Sequence, residues 1–330
     1  MRAAIYTGTG TTDVITIRDD VPEPELGSDD ALVDVAYAGL NRADLLERQG
    51  GYPGPTRDPM IPGLEFSGTV AAIGARVTNV AVGDRVCGLV TAGAHASRLL
   101  THALALCKVP KHLDLQTAAA IPEAFTTAHD ALFARGRFAL GETALVHAVG
   151  SGVGLAAVAL VKRAGGIAIG TSRTAEKLER ARAFGLDFGF VLDDDWTRHV
   201  HDATNARGAD VILDFVGAPM LHHNLVALAS RGRIVQIGTM AGAQASINLG
   251  VLMVKRAELH GTVLRSRPLD EKIALAKRFE REILPLVTAG ELRTPIDRVF
   301  PLAELAEAHA YMDGDANFGK ILIEIAPETA

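Results

Sequence analysis

Hydrophobic positions change their spacing about a third of the way along the chain. Before about residue 120, short apolar runs at 31–36, 68–73 and 84–90 are separated by Gly, Pro and Asp. Short strands punctuated by turn residues predict a small β-barrel or β-sandwich. After residue 120, apolar runs of strand length alternate with runs of helical length. This alternation is typical of βαβ units and predicts a parallel, doubly wound sheet.

The second region holds a series of predicted elements that continues almost to residue 240. The predicted strands span 143–147, 167–171, 188–192, 210–215 and 233–237, and the predicted helices span 152–164, 175–184 and 220–229. After residue 264, the spacing predicts an amphipathic helix over 269–287 and a strand over 319–325. The alternation in this last strand suits a return to the first region. The predicted fold class is therefore α/β, with a β-rich domain beside a doubly wound one.

The stretch HAVGSGVG, residues 147–154, lies between a predicted strand and a predicted helix. Gly152, Gly154 and Ala157 have the spacing G-x-G-x-x-A, and a register shifted to use Gly150 is also open. Backbone N–H groups and the positive end of a helix dipole meet at such a turn, which suits a pyrophosphate. A packing turn without a ligand is the alternative. The place of the turn at the start of a βαβ series favours dinucleotide binding.

The second strand of this series ends in IGTSRTAEK, residues 169–177, where NAD-binding versions of the motif carry an acidic residue. Ser172 and Arg173 stand there instead, and Lys177 follows one helical turn later. A hydroxyl and two cations suit the 2′-phosphate, so NADPH is the predicted cofactor, with NADH as the open alternative. A solvated helix start is the simpler interpretation of these charges. Three acids at 193–195 weaken the NADPH prediction if they face the same pocket.

Composition narrows the class of protein. With 330 residues, 48% of them hydrophobic, the chain is long enough for two globular domains. A formal net charge of −6 without a dense Lys/Arg block argues against nucleic acid as a partner. No apolar run approaches the roughly 18 residues of a membrane span, and the first residues lack a signal peptide's apolar segment. We therefore expect a cytoplasmic protein with no membrane partner, in which Cys87 and Cys107 are reduced and buried.

Longer motifs around the glycine turn carry a resemblance to a known family. They are GLNRADLLERQGGYP (39–53), IPGLEFSGTVAAIGARVTNVAVGDRV (61–86), IPEAFTTAHDAL (121–132), LRSR (264–267), ILP (283–285) and GKILIEI (319–325). Together with HAVGSGVG they resemble the medium-chain dehydrogenase/reductase superfamily. Within it, they are most similar to the zinc-independent NADPH:quinone oxidoreductases of the stress-inducible, zeta-crystallin-like branch. The similarity covers essentially the whole chain.

The resemblance implies a domain arrangement. A GroES-like β-barrel substrate domain would comprise residues 1–120, completed by 265–330. A Rossmann domain that binds NADP(H) on a doubly wound parallel sheet would be inserted between them, at 121–264. Members of the family commonly form homodimers through an edge strand of the Rossmann sheet, which here would lie near 258–264.

Departures from the zinc alcohol dehydrogenases determine the predicted chemistry. Those enzymes carry a Gly-His-Glu motif, whereas this chain reads Gly63-Leu64-Glu65, and Asn41 stands where a ligand cysteine is expected. Leucine cannot bind zinc, and two cysteines cannot form the four-cysteine structural lobe. The histidine groupings at 199/201 and 222/223 come without further ligands. We therefore predict an enzyme with no metal site.

Without a Lewis acid, the predicted reaction is hydride transfer from NADPH to a quinone or conjugated carbonyl, because such acceptors are already electrophilic. By resemblance, Asn41 and Thr127 lie beside the nicotinamide, and Tyr52 lies across the substrate cleft as a proton donor, a role that solvent can also fill. The simpler alternatives are a helix cap for Asn41, helix packing for Thr127 and a turn aromatic for Tyr52. The remaining cofactor contacts that the resemblance implies are Ser151, Gly152, Val153, Gly154, Ser172, Arg173, Lys177, Phe215, Gly217, Ile237, Gly238, Met240, Phe318 and Lys320.

Two other functions stay open. One is a reductase of enones, alkenals or enoyl-thioesters on the same scaffold. The other is a non-catalytic NADPH-binding protein, since some relatives serve as lens crystallins or bind RNA. Relatives often carry a tyrosine after the third Rossmann strand that helps to hold the adenosine end. Leu192 stands at that position here, which weakens the NADPH prediction without favouring another class of cofactor.

Overall fold

The computed structural model describes residues 1–51 and 59–326. In chain order the strands are β1 (Ala3–Tyr6), β2 (Ile15–Arg18), β3 (Asp30–Leu40), β4 (Glu65–Ile73), β5 (Arg85–Leu89), β6 (Arg98–His102), β7 (Leu106–Lys108), β8 (Thr143–Val146), β9 (Ile167–Ser172), β10 (Phe188–Val191), β11 (Ala209–Asp214), β12 (Leu228–Gln236), β13 (Glu258–Gly261), β14 (Ile296–Pro301) and β15 (Lys320–Glu324). The α-helices are α1 (Arg42–Arg48), α2 (Leu115–Ala119), α3 (Pro122–His129), α4 (Gly152–Arg163), α5 (Ala175–Arg182), α6 (Trp196–Ala203), α7 (Leu221–Ala227), α8 (Leu249–Lys255), α9 (Leu269–Glu282), α10 (Leu284–Thr288) and α11 (Leu305–Asp313). A π-helical segment, Asp130–Arg135, follows α3.

The chain divides into two compact units, and the division falls inside α3. Unit 1 comprises Met1–Glu123 and Leu264–Ala330, and unit 2 comprises Ala124–Val263. No helix in the described part of the chain is long and apolar enough to cross a lipid bilayer.

Unit 2 contains a six-stranded sheet in the order β10-β9-β8-β11-β12-β13, in which every pairing is parallel. The direction of winding reverses between β8 and β11, so the carboxyl ends of these two strands form the edge at which doubly wound sheets bind ligands. Leu145, Ile169, Ile212 and Ile234 pack beneath that edge in a buried core. The parallel sheet that the alternation of strands and helices predicts is confirmed.

Unit 1 contains a seven-stranded mixed sheet, with β1 and β2 forming a separate hairpin. The strands follow the order β14-β15-β3-β4-β5-β7, and β6 also pairs with β3. The eleven-residue β3 can hold two neighbours on one side because β6 pairs with its first half and β15 with its last four residues. The predicted strand at 319–325 therefore does return to the N-terminal region.

Some predicted boundaries differ from the observed ones. The single helix predicted over 269–287 is two helices, α9 and α10, which meet at Ile283. Pro285 lies two residues beyond the junction, and proline lacks the N–H that would continue the first helix. Helix α6 has no counterpart among the predicted elements, although Trp196 and Val200 provide a buried i, i+4 pair. The helix predicted over 220–229 ends at Ala227, because β12 starts at once with Leu228.

Candidate functional site

The glycine turn connects β8 to α4 as the sequence predicts. Ser151 is the N-cap residue of α4, and its hydroxyl accepts a hydrogen bond of 3.1 Å from the Gly154 N–H. A Cβ atom at position 154 would lie 2.7 Å from the Ala148 carbonyl oxygen, so only glycine allows the helix to start this close to the turn. Ala148 itself has a φ of 47°, in the left-handed region that alanine rarely adopts. The turn therefore carries backbone strain next to a helix N-terminus.

Lys177 lies at the glycine turn. A Cβ atom added at Gly150 would be 3.0 Å from Cδ of Lys177, so the aliphatic part of the lysine covers this glycine. The helix dipole places a partial positive charge at the start of α4, and the lysine adds a full one nearby. These two features make the turn a site for a negatively charged group.

The end of β9 carries the residues predicted for the adenosine phosphate. Ser172 is buried, and its hydroxyl accepts a 3.3 Å hydrogen bond from the Thr174 N–H, while Arg173 is exposed. Val191 pairs with Ser172 in the sheet, so the acidic run begins only two residues beyond that neighbour. Within that run, Asp195 forms an ion pair of 3.4 Å with Arg198 in the first turn of α6.

The loops after β11 and β12 are joined through Asp214. Its carboxylate accepts hydrogen bonds from the N–H groups of Val216 at 2.7 Å and Gly217 at 2.9 Å. Its backbone carbonyl accepts a hydrogen bond of 2.8 Å from the Ile237 N–H. Gly217 has a φ of 98°, a conformation for which glycine is suited. The predicted contact segments at Phe215–Gly217 and Ile237–Gly238 are thus neighbours in space, and Met240 follows them with an exposed side chain.

In unit 1, Asn41 and Lys320 come together around a third residue, Glu65. The Lys320 ammonium donates to Oε1 of Glu65 at 2.5 Å, to Oδ1 of Asn41 at 2.7 Å and to the Leu40 carbonyl oxygen at 3.2 Å. Glu65 is completely buried and Lys320 is 3% exposed. All three protons of the ammonium therefore have an acceptor inside the protein.

Glu65 makes two further hydrogen bonds that fix its position. Its Oε1 accepts from Nδ2 of Asn41 at 3.0 Å, and its Oε2 accepts from the Glu123 N–H at 2.8 Å. A Cβ atom at Gly39 would collide with the carboxylate, so a glycine is required on the neighbouring strand. A buried carboxylate is tolerated here because it is both paired and hydrogen-bonded.

These residues do not fit a zinc ion. Leu64 offers no ligand atom, and the amide of Asn41 and the carboxylate of Glu65 both contact the Lys320 ammonium. Within residues 1–51 and 59–326, no group of three or more His, Cys, Asp or Glu side chains is arranged to hold a metal ion. The positive charge at this position is supplied by lysine.

The alternative that Asn41 only caps a helix explains some of its contacts but not those of its side chain. Asn41 precedes α1 as its N-cap residue, and its backbone N–H donates to Oδ2 of Asp44 at 2.8 Å. Its side-chain amide, however, is hydrogen-bonded to Glu65 and Lys320. Asp44 also accepts from the Gly63 N–H at 3.2 Å, and burial raises the pKa of its carboxyl to about 7. The start of α1 is thereby tied to the buried cluster.

The remaining predicted residues are Thr127, Phe318 and Tyr52. Thr127 is buried in α3, in the part of that helix that belongs to unit 2. Phe318 is buried in unit 1, two residues before Lys320. Tyr52 lies outside the described residues.

Sequence reasoning did not single out Glu65 or the buried polar residues His147 and Asn224. For Glu65 the sequence did contain an indication. Glu65 starts one apolar strand and Lys320 starts another, and a charged side chain that is buried in such a strand requires a partner of opposite charge. His147 follows the apolar strand β8, and its burial could not be read from the local pattern.

The chain is similar to proteins of known family. Residues 27–134 match the family described as Alcohol dehydrogenase GroES-like domain, and residues 152–280 match the one described as Zinc-binding dehydrogenase. A probable quinone oxidoreductase of Schizosaccharomyces pombe is 32% identical over 322 residues, covering 96% of this chain and 94% of that protein. A 2-haloacrylate reductase of a Burkholderia species is 31% identical over 299 residues, covering 86% of this chain and 87% of the relative.

The fold also matches solved structures. The crystal structure of Escherichia coli quinone oxidoreductase complexed with NADPH superimposes with a TM-score of 0.88 at 25% identity, covering 98% of this chain and 100% of that chain. The predicted fold class, a GroES-like domain with a Rossmann-type parallel sheet, is thus confirmed. The long motifs, the sheet order and these relatives agree: the chain belongs to the medium-chain dehydrogenase/reductase superfamily and to its quinone oxidoreductase-like branch.

Proposed function

We propose that this oxidoreductase reduces quinones with NADPH and without zinc. The observation that carries the proposal is the glycine turn, where the N-terminus of α4 and the covering Lys177 form a site for a diphosphate. We also propose that unit 2 is the nucleotide-binding domain and that unit 1 is the substrate domain.

The residues around the turn fit a nicotinamide nucleotide. The N–H groups of Gly152 and Val153, in the first turn of α4, are of the kind that an α-helix leaves without an internal partner. Ser151, Gly152, Val153 and Gly154 would hold the pyrophosphate, and the loops of Phe215–Gly217 and Ile237–Met240 would line the rest of the nucleotide. A reduced nicotinamide bound there would supply a hydride.

A preference for NADPH is supported by the charges at the end of β9. Arg173 is exposed at this point, and Lys177 follows one helical turn later. Both side chains are basic, whereas NAD-binding versions of the motif carry an acidic residue here. The similar Escherichia coli structure is a complex with NADPH. A guanidinium and an ammonium recognise a phosphate monoester through charge-assisted hydrogen bonds.

In unit 1, the buried ion pair would orient Asn41. Because Lys320 and Glu65 each hold one end of its amide, the Asn41 side chain has one defined rotamer for the nicotinamide to meet. Thr127 is proposed as a second contact of the nicotinamide. Tyr52 is proposed as the proton donor to the reduced substrate oxygen, with solvent as the alternative donor.

A second candidate function is the reduction of conjugated enones, alkenals or enoyl-thioesters. The relative named 2-haloacrylate reductase favours it, because a haloacrylate is a conjugated acid rather than a quinone. Quinones and conjugated carbonyls share the property that they accept a hydride without a metal, so the scaffold suits both. A non-catalytic NADPH-binding protein is the remaining alternative.

The deciding experiment for the cofactor is a fluorescence titration with NADPH and NADH. Arg173→Ala should raise the dissociation constant for NADPH about tenfold and that for NADH much less, since only NADPH has the 2′-phosphate. Arg182→Ala, at the exposed last residue of α5, is the matched control and should bind both as the wild type does. Equal loss of both nucleotides in Arg173→Ala would exclude the phosphate role.

A substrate panel separates the candidate reactions. NADPH consumption should be faster with 1,2-naphthoquinone than with crotonyl-CoA or a simple alkenal. The reverse order would favour the conjugated-carbonyl reductase, and binding of NADPH without turnover of any acceptor would favour the non-catalytic protein.

We further propose a homodimer that forms through β13. This strand ends the sheet order of unit 2, and Leu259 and Val263 on or beside it are partly exposed. Helix α8, just before it, exposes Met253 and Val254 by 74% and 82%. Exposed apolar side chains beside an unpaired strand edge are typical of a protein–protein contact.

A cytoplasmic location stays a prediction.

A further inference from the structure

Four buried side chains of unit 2 form a continuous chain of hydrogen bonds. Nδ1 of His147 lies 2.7 Å from Oγ1 of Thr171, and Nε2 of the same ring lies 2.7 Å from Oδ1 of Asn224. Nδ2 of Asn224 in turn donates to Oδ2 of Asp214 at 2.8 Å. None of the four side chains is exposed to solvent. We refer to Thr171, His147, Asn224 and Asp214 as the polar chain.

The carboxylate determines the direction of every proton in the polar chain. An ionised Asp214 can only accept, so the amide nitrogen of Asn224 must face it and the amide oxygen must face His147. Nε2 of His147 must then carry the proton, which leaves Nδ1 as an acceptor for the Thr171 hydroxyl. Burial lowers the pKa of His147, which keeps the ring neutral and in this single tautomer.

The polar chain reaches several loops at the ligand-binding edge of the sheet. His147 is the last residue before the glycine turn, and the Thr171 carbonyl accepts a hydrogen bond of 3.0 Å from the Val149 N–H inside that turn. Thr171 directly precedes Ser172 and Arg173. At the other end, Asp214 holds the N–H groups of the loop after β11.

The interaction extends to a fourth loop through the backbone of Asp214. Its carbonyl oxygen accepts from the N–H of Ile237 at 2.8 Å, at the end of β12. The loops after β8, β9, β11 and β12 are therefore coupled by directional hydrogen bonds that lead to one buried carboxylate. An apolar core at these positions would fill the same space but would leave the relative positions of the loops less strictly defined.

We propose that the polar chain is a positioning device, which sets the distance between the glycine turn and the phosphate-recognising end of β9 so that both grip one nucleotide. The proposal rests on the proposed function, because it assigns Thr171, His147 and Asn224 roles in holding the nucleotide without touching it. Removing the hydroxyl of Thr171 leaves Nδ1 of His147 buried without a donor and removes the side-chain link between His147 and β9, while the backbone hydrogen bond from Val149 to Thr171 stays. The substitution should therefore weaken nucleotide binding and leave the rate of the chemical step nearly unchanged.

The test compares two substitutions at position 171, one that keeps the shape of the side chain and one that keeps its hydroxyl. Thr171→Val removes the hydroxyl and should raise the dissociation constant for NADPH about tenfold, the effect of one unsatisfied buried acceptor. Thr171→Ser keeps a hydroxyl and should bind NADPH within about twofold of the wild type. With saturating NADPH, kcat of Thr171→Val should stay within about twofold, so that the change appears in KM for the nucleotide. Thr197→Val, on α6 and outside the polar chain, is the matched control.

A second measurement needs neither nucleotide nor turnover. Nitrogen-15 NMR of the wild type, with the His147 signals identified from a His147→Gln variant, should give a neutral ring protonated at Nε2. A ring protonated at Nδ1, or a charged ring, would overturn the direction of the polar chain. This readout stands even if Thr171→Val does not fold.

The outcomes distinguish the two proposals. If the wild type binds NADPH and Thr171→Val binds it equally well, the positioning role is wrong while the proposed function stands. An equal loss of affinity in Thr171→Ser and Thr171→Val would also contradict the role, because the hydroxyl would then be irrelevant. If the wild type binds no pyridine nucleotide, the proposed function fails and the positioning role fails with it.

Discussion

At the scale of single residues, the polar groups of unit 1 are notable for how completely they are removed from water. Asp44 has no exposed surface and still faces two backbone N–H groups, those of Asn41 and Gly63. Such hydrogen bonds favour the ionised carboxyl, but burial disfavours it more strongly, and the net effect raises its pKa from 3.8 to about 7. Asp44 therefore changes charge close to neutral pH in the folded protein.

This shift predicts a pH-dependent contribution to stability. In the unfolded chain Asp44 has its ordinary pKa, so between about pH 4 and pH 7 the folded state binds the proton more tightly. The contribution is complete below about pH 4 and is lost as the pH rises through 7, on the order of 4 kcal/mol in all. Asp44→Asn imitates the protonated carboxyl and should remove this dependence, as measured by urea unfolding at pH 5 and pH 8.

The control is Asp194→Asn, at an exposed position after β10, which should keep the wild-type difference between the two pH values. If Asp44→Asn loses as much stability between pH 5 and pH 8 as the wild type does, Asp44 is not the group responsible.

At the scale of secondary-structure elements, the ion pair of Lys320 and Glu65 connects strands that are remote in sequence. Strand β15 pairs with β3 and β3 pairs with β4, so the lysine on β15 reaches across β3 to the glutamate on β4. The pair is separated by 255 residues and is almost completely buried. A buried pair adds modestly to stability while both partners are present, but the loss of one leaves an unpaired charge.

Lys320→Met should therefore destabilise the protein by about 3–5 kcal/mol, because the carboxylate of Glu65 would stay buried without its cation. The double variant Glu65→Gln/Lys320→Met removes both charges and should recover a large part of this loss. The free energy of unfolding in urea measures both. A double variant no more stable than Lys320→Met would show that the charge of Glu65 is not the source of the cost.

The elements themselves follow local patterns to different degrees. Helix α4 begins at Gly152 as expected, because the glycine turn and the Ser151 cap act within one turn of the helix. The junction between α9 and α10 differs from the expected single helix, since apolar periodicity continues across Ile283 and only Pro285 interrupts the hydrogen bonds. Periodicity reports which face is buried, and it does not report where the backbone hydrogen bonds stop.

At the scale of the whole molecule, the open edge of β13 has a consequence for assembly. If two copies pair there, charges placed on the neighbouring exposed apolar residues should separate them. Met253→Glu/Val254→Glu should therefore convert a dimer to a monomer, measured by size-exclusion chromatography with light scattering. Leu140→Glu, which alters a side chain that is 86% exposed elsewhere in unit 2, is the control and should leave the dimer intact. A dimer that persists in the double variant would exclude this surface.

The sequence by itself determined the parallel sheet of unit 2, the glycine turn at the start of α4 and the resemblance to the family. The sheet and the turn depend on patterns within a few tens of residues, where apolar spacing, glycine positions and helix caps act locally. The resemblance depends on several motifs along the chain, each of which is short enough to be recognised without the fold. Only the tertiary structure decided that Lys320 lies against Glu65 and that His147 connects Thr171 to Asn224. Side-chain hydrogen bonds require atoms within about 3 Å of each other, and the chain brings these atoms together only when strands and helices that are separate in sequence become neighbours.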